Sequence, residues 1–141
     1  MTPREAIEGM FEAWRRLDGD RFIALFTEDA RYEFPLFSET LVGRQEIYDV
    51  IVPGMADVQE CGFKILRIVE AGDTGMAEAQ FRSRLVGGQG RIDFDFAMVA
   101  ELRDGRIARL AHYLDTLPLV SAGKRHSARS RVRAPAEAIG D

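Results

Sequence analysis

Apolar residues recur along this chain with two different periods, and the change of period divides it. Ile7, Met10, Phe11, Trp14 and Leu17 fall at spacings of three and four, which is the apolar stripe of one amphipathic helix. Ahead of that stripe, Thr2-Pro3-Arg4-Glu5 has the form of a capping box with proline at the first helical position. Asp18-Gly19-Asp20 ends the helix. Gly19 suits the left-handed position that follows a helix, and Asp20 can cap a second short helix carrying Phe22, Leu25 and Phe26. A third helix is predicted from about Arg44 to Ile51, stopped before Pro53-Gly54.

Elsewhere the period is two. Ala30–Phe34 makes a short strand bounded by Pro35, and Gly62–Glu70, Met76–Val86, Arg91–Arg103 and Arg106–Asp115 make longer ones. Asp73-Thr74-Gly75, Gly87-Gly88-Gln89-Gly90 and Asp104-Gly105 separate them, and Asp-Gly between alternating runs signals a tight hairpin. Helices followed by an antiparallel meander give an α+β fold class. The glycine-rich run joins two strands and opens no helix, so it is a hairpin loop and not a phosphate cradle.

Alternation sorts the strand faces. Ile92, Phe94, Phe96, Met98, Ala100 and Leu102 point one way; Arg91, Asp93, Asp95, Val99 and Glu101 point the other. A two-residue turn at Asp104-Gly105 sets Phe94 opposite Asp115, Phe96 opposite Tyr113 and Met98 opposite Ala111. Across the preceding turn, Phe81 falls beside Phe94 and Ala79 beside Phe96. One face therefore collects Ala79, Phe81, Phe94, Phe96, Met98, Ala111 and Tyr113, with Asp115 at its end. A carboxylate on an apolar face must be hydrogen-bonded, sit near the rim or hold a raised pKa, and the last case suits a general acid or base. The plainer alternative is that Asp115 ends the strand and accepts backbone amides in a turn toward Pro118. On the opposite face, Gln80, Arg82 and Arg84 meet Arg91, Asp93 and Asp95 as cross-strand pairs. His112 falls on that outer face, diagonal to Asp95, as a surface or subunit-contact residue or one half of a His–Asp couple. No serine or cysteine nucleophile accompanies it, so a hydrolytic triad has no support.

Composition narrows the classes. A chain of 141 residues, 46% hydrophobic and 30% charged, suits one globular domain. The single Cys61 excludes an intramolecular disulfide framework, and with His112 and His126 alone it cannot build a zinc site. No apolar run approaches the roughly 18–20 residues of a membrane span, and the N-terminus lacks a secretory pattern, so a cytoplasmic location is expected. The net charge of −4 is split. Residues 1–120 hold 14 Lys+Arg against 21 Asp+Glu, and residues 121–141 hold 5 against 2, so an acidic body precedes a basic tail. The body speaks against nucleic acid as a partner, and the tail has the composition of a disordered terminus.

The N-terminal amphipathic helix, Phe26-Thr27-Glu28-Asp29-Ala30, Gly43-Arg44-Gln45-Glu46-Ile47 and the closing Asp104-Gly105-Arg106-Ile107 … His112-Tyr113-Leu114-Asp115 together resemble the SnoaL-like families of the nuclear transport factor 2-like superfamily. The resemblance covers roughly residues 3–120. It implies a cone-shaped α+β barrel, in which a curved antiparallel sheet wraps the N-terminal helix and encloses a pocket, and a homodimer through the outer sheet face. Tyr113-Leu114-Asp115 is similar to the strand end carrying the catalytic aspartate in limonene epoxide hydrolase and SnoaL-type polyketide cyclases. The rest of the hydrolase set departs from the pattern: its arginine falls on Arg82, but its second aspartate falls on Arg84, its asparagine on Glu33 and its tyrosine on Arg31. Ketosteroid isomerase's base corresponds to Phe34 and its tyrosine to the region of Glu12, so Glu33, one residue from the base position, is a second acid–base candidate.

The expectation is a small-molecule pocket without a cofactor or metal. As an enzyme it would run acid–base chemistry (cyclisation, isomerisation or water addition) on an apolar polyketide-, steroid- or terpenoid-like substrate. Asp115, Tyr113 and Glu33 are the expected catalytic groups, with Trp14, Phe34, Phe81, Phe94, Phe96 and Met98 gripping the substrate. The alternative is a non-catalytic ligand-binding or dimerisation module of the same fold.

Overall fold

In the computed structural model, residues 1–117 are described; the basic segment 121–141 lies outside them. Helix α1 spans Pro3–Arg15 and opens on the expected capping box: the Thr2 hydroxyl accepts the Glu5 amide, and the Glu5 carboxylate accepts the Thr2 amide. Its inner stripe buries Ala6, Ile7, Met10, Phe11 and Ala13. The following turn differs from expectation by a residue or two. Leu17 takes the left-handed conformation (φ 54°), and Asp18 caps helix α2, Gly19–Ile23, by accepting the Arg21 amide. Gly19 therefore opens a helix, and close packing explains it: a Cβ there would lie 2.4 Å from Val52 Cγ1.

Strand β1 is longer than expected, Phe26–Phe34, and a strand not foreseen, β2 (Glu39–Val42), pairs with it in antiparallel fashion. Helix α3 occupies Arg44–Ile51 as predicted, running into a 3₁₀ segment, Val52–Asp57, that contains Pro53-Gly54. Strands β3 (Val58–Ala71), β4 (Thr74–Leu85), β5 (Phe94–Arg103) and β6 (Arg106–Leu114) form the antiparallel meander. The sheet order is β2-β1-β6-β5-β4-β3, with β1 parallel to β6. The sheet is thus mixed rather than wholly antiparallel, and it curves around α1 without closing into a barrel, because β2 and β3 remain free edges. The resulting fold is α+β.

Two turns show why the chain reverses where it does. Asp104 and Gly105 both have positive φ (53° and 77°), the geometry a two-residue hairpin requires. Gly72-Asp73 connects β3 to β4, so Gly75 is no turn residue. It is buried in β4, where a Cβ would lie 2.6 Å from Pro3 Cβ and 3.2 Å from Ile7 Cδ1. Its lack of a side chain lets the N-terminal end of α1 lie against the sheet. Arg4 completes that docking: its amide donates to Glu70 and its guanidinium to the Ile68 carbonyl, both at 2.9 Å. Gly75→Ala is expected to destabilise the fold by about 1–3 kcal/mol through overpacking, measured as a lower urea midpoint with an unchanged m-value.

The outer-face pairs also differ in detail. Gln80 does sit opposite Asp95, but the Arg82 guanidinium donates to Gln80 on its own strand. Arg84 pairs with Glu60 on β3, and Arg91 with Asp93 two residues away. These exposed pairs are weak contributors to stability.

Candidate functional site

The inner face of the sheet and α1 line a half-open cavity of about 180 Å³. All six expected grip residues, Trp14, Phe34, Phe81, Phe94, Phe96 and Met98, line it. The β4–β5 register explains Phe81, Phe94, Phe96 and Met98, since Phe81 pairs with Phe94, Ala79 with Phe96 and Ala77 with Met98, while Trp14 comes from α1 and Phe34 from β1. Rings interlock around the space: Phe11 stacks on Phe63 (centroids 4.4 Å), Tyr32 stacks on Phe34 (4.6 Å), and Phe81 lies 5.0 Å from Phe94. Helix α1 is fixed over the cavity at its C-terminal end as well, where the Cys61 thiol donates to the Trp14 carbonyl at 3.2 Å. Burial pushes that thiol up to about 11, so it stays protonated at neutral pH.

The expected acid–base residues are not on this wall. Register along β6 is the reason. Arg103 pairs with Arg106 and Leu102 with Ile107, as the turn dictates, but the next pair is Glu101 with Arg109. Ala108 is an extra residue, a β-bulge, and beyond it every side chain is turned to the opposite face. Met98 then pairs with His112 and Phe96 with Leu114, while Tyr113 pairs with Ala97 on the outer face. Tyr113 is 40% exposed. Asp115 is also exposed: its carboxylate accepts the Leu117 amide at 3.1 Å, the strand-ending turn foreseen as its alternative role. Glu33 belongs to the outer face too, where it accepts from Arg109 at 3.1 Å and faces Arg31 at 3.5 Å. That bond to Glu33 raises the Arg109 pKa further above its ordinary value.

The bulge carries His112 inside instead. Phe96 meets the imidazole edge-on, with centroids 5.0 Å apart, and Phe34 flanks it at 5.9 Å. Its Nδ1 lies 3.0 Å from the hydroxyl of Tyr32, a buried residue of β1. Nε2 is sealed from solvent and is the unpartnered buried side-chain atom among the described residues. Burial lowers the His112 pKa from 6.5 to about 4, so the ring is neutral at pH 7; it also pushes the Tyr32 phenol well above its ordinary value. The Tyr32 hydroxyl makes no other hydrogen bond among the described residues, which assigns the proton positions. If Tyr32 donates to Nδ1, one hydrogen, on Nε2, lacks a partner; the reverse tautomer orphans two groups.

Two further polar residues line the cavity. Asp57, at the end of the 3₁₀ segment after α3, is the carboxylate among the described lining residues. Ser83 is buried, and its hydroxyl donates to the Ile92 carbonyl at 2.5 Å, tying the chain before β5 to β4. Sequence reasoning put His112 on the outer face beside Asp95 and did not single out Tyr32 or Asp57. One signal pointed at the bulge: strict alternation from Ile107 would have buried Arg109 against Ala100, which a charged side chain resists. Among the described residues no group of three or more His, Cys, Asp or Glu side chains could hold a metal ion. No helix among them is long and apolar enough to cross a membrane.

A curved mixed sheet wrapped on an N-terminal helix, with an apolar cavity between them, defines a nuclear transport factor 2-like α+β protein. The chain belongs to the SnoaL-like domain family, whose pattern it matches over residues 7–110. No curated protein matches it. Among solved structures it is similar to an LEH-like epoxide hydrolase from M. tuberculosis, with 24% identity, 84% of this chain and 86% of that one covered, and a TM-score of 0.69. It is also similar to a protein with a ketosteroid isomerase-like fold from Catenulispora acidiphila, solved with trimethylamine (22% identity, 87% and 95% covered, TM-score 0.72). A third is assigned as a SnoaL-like polyketide cyclase from Shewanella denitrificans (13% identity, 88% and 98% covered, TM-score 0.74). The family's fold thus serves isomerases, cyclases and epoxide hydrolases, and likenesses this distant establish the fold alone.

Proposed function

We propose that this chain is a small-molecule enzyme that needs no cofactor for acid–base chemistry on an apolar substrate, with His112 and Tyr32 in place of Asp115 and Tyr113. The observation that carries the proposal is the unpartnered Nε2–H of a neutral histidine, pinned by a tyrosine, on an aromatic cavity wall. A neutral imidazole with a pKa near 4 is a weak base but a sound hydrogen-bond donor to oxygen. Asp57 then supplies the base. In an enolisation, Asp57 takes the proton α to a carbonyl, the developing oxyanion is held on Nε2–H, and the proton returns from Asp57 to carbon. Isomerisation and cyclisation both begin with such a step.

The test requires no native substrate. Acetophenone and larger ketones are incubated with the protein in D₂O, and α-deuterium incorporation is followed by NMR. The wild-type chain is expected to accelerate exchange, and Asp57→Asn and His112→Leu to lower it by roughly 10²-fold or more. No acceleration with any ketone would leave the non-catalytic ligand-binding alternative.

The homodimer implied by the family remains a proposal, and the outer sheet face supports it. Val69, Met76 and Val99 are consecutive cross-strand neighbours there, with Tyr113 nearby, and Val69, Met76 and Tyr113 are exposed. Glu33, Arg109 and Glu101 border this strip with charges of both signs, which suits pairing with an identical face. Light scattering at micromolar concentration is expected to give a dimer mass, and Val99→Lys a monomer. A monomeric wild-type chain would overturn the proposal.

A further inference from the structure

Size and polarity of the cavity together restrict its occupant more than the fold does. Small-molecule sites usually measure 300–1,000 Å³, and this one is about 180 Å³. A cavity of roughly 150 Å³ accommodates one benzene, so the space here suits one ring with a small substituent, and four fused rings would project from its open side. The wall is aromatic or aliphatic nearly throughout. Its unsatisfied polar group is a donor, Nε2–H of His112, and donors want acceptors. No lysine or arginine is among the described lining residues, so an anionic ligand would be desolvated there without a counter-charge. An ammonium would suit the rings and Asp57 but would leave Nε2–H unpaired.

We infer that the cavity takes a single-ring, uncharged molecule carrying one hydrogen-bond-accepting oxygen, and that this oxygen reaches His112 Nε2–H by displacing the Phe34 or Phe96 ring that seals it. The inference rests on the reading of His112 as the polar anchor of the site, and it narrows the substrate from the polycyclic range to one ring. The bond also has an energetic motive. An unmade buried hydrogen bond is costly, and a ligand oxygen that completes it gains more than the same atom would in water. An isosteric hydrocarbon gains only the apolar contact.

The molecule has a built-in reporter, since Trp14 is its single tryptophan and lines the cavity. Trp14 emission and titration calorimetry would be recorded on the full chain with acetophenone, isopropylbenzene, benzoate, benzylamine and the tetracyclic ketone androstenedione. Acetophenone is expected to bind about ten-fold more tightly than its hydrocarbon isostere, and at least ten-fold more tightly than the two charged rings and the tetracycle. In His112→Leu the preference over isopropylbenzene is expected to fall to about one-fold, with the hydrocarbon still bound. Tyr32→Phe, which leaves the imidazole in place but frees Nδ1, should reduce the preference by a smaller factor. Equal or tighter binding of androstenedione, benzoate or benzylamine overturns the inference, as does equal binding of isopropylbenzene or no binding by any single-ring probe. The expected binding order without α-proton exchange would defeat only the catalytic proposal, and exchange of the larger ketone alone would defeat only the size restriction.

Discussion

Deleting Ala111 is expected to abolish cooperative folding, or to leave a chain whose cavity no longer quenches or shifts Trp14 emission when acetophenone is added. Ala111 pairs with Val99, one place before the pair His112–Met98. Without it, His112, Tyr113 and Leu114 each move back one place and turn to the opposite face. Leu114, 6% exposed in the native fold, would turn outward together with the imidazole. Closing the bulge at Ala108 could absorb the deletion, but Leu110 would then turn outward and Arg109 would turn in against Ala100. Exposing one leucine costs on the order of 1.5–3 kcal/mol, before the burial of a polar or charged side chain is added. That is a sizeable part of the roughly 5–15 kcal/mol that holds a domain together. Urea unfolding and near-ultraviolet circular dichroism would measure the loss. A variant of native stability and native ligand response would show that register does not select the residues of the cavity. Deleting Ala108 itself removes only the bulge: Arg109 stays opposite Glu101, every later pair is kept, and the ligand response is expected to survive.

The second large effect is a dependence of stability on pH. His112 titrates near pH 4 in the folded chain against 6.5 when unfolded, because burial disfavours its charged form. Between those values the unfolded state binds a proton that the native state does not, so stability falls as pH drops. The loss begins as pH falls below about 6.5 and is complete below about 4, where both states are protonated. At 1.36 kcal/mol for each pH unit, the difference amounts to roughly 3 kcal/mol. His112→Leu should remove this limb, at a cost of about 1–3 kcal/mol at pH 7, since it leaves the buried Tyr32 hydroxyl without its partner. Urea midpoints of both proteins from pH 4 to 7.5 test this, and parallel curves would mean that His112 is not held neutral inside the fold.

Acidification should also act on the site itself. A protonated His112 places a second N–H on Nδ1, where the Tyr32 oxygen must then accept instead of donate. The phenol hydrogen loses its partner, and a charge lies among the rings of Phe34 and Phe96. The stability limb and the disruption of the Tyr32–His112 pair therefore share one cause.

Much of the fold was legible in the sequence because local chemistry decides it. The Thr2–Glu5 capping box, the stripe from Ile7 to Trp14, α3 at Arg44–Ile51 and the Asp104-Gly105 turn depend on residues within a few positions of one another. The β4–β5 register followed from alternation, and with it the place of Phe81, Phe94, Phe96 and Met98 on the cavity wall. Short strands were harder. Glu39–Val42 carries four residues with no clear alternation, and it is a strand only because β1 offers it an edge. Gly75 looked like part of a turn because glycine marks turns, whereas here the approach of Pro3 and Ile7 requires it.

The sequence by itself determined an α+β chain with an apolar inner face, and it placed that face on β4 and β5 because an unbroken strand alternates strictly. It did not determine which polar residue reaches the cavity. His112 or Tyr113, Leu114 or Asp115: the choice turns on a single inserted residue, and a bulge forms where the sheet must bend and where Arg109 would otherwise be buried. Those pressures come from α1, β1 and β5 packed around β6, not from β6 itself. Only the tertiary structure could therefore place the imidazole inside and the Asp115 carboxylate outside.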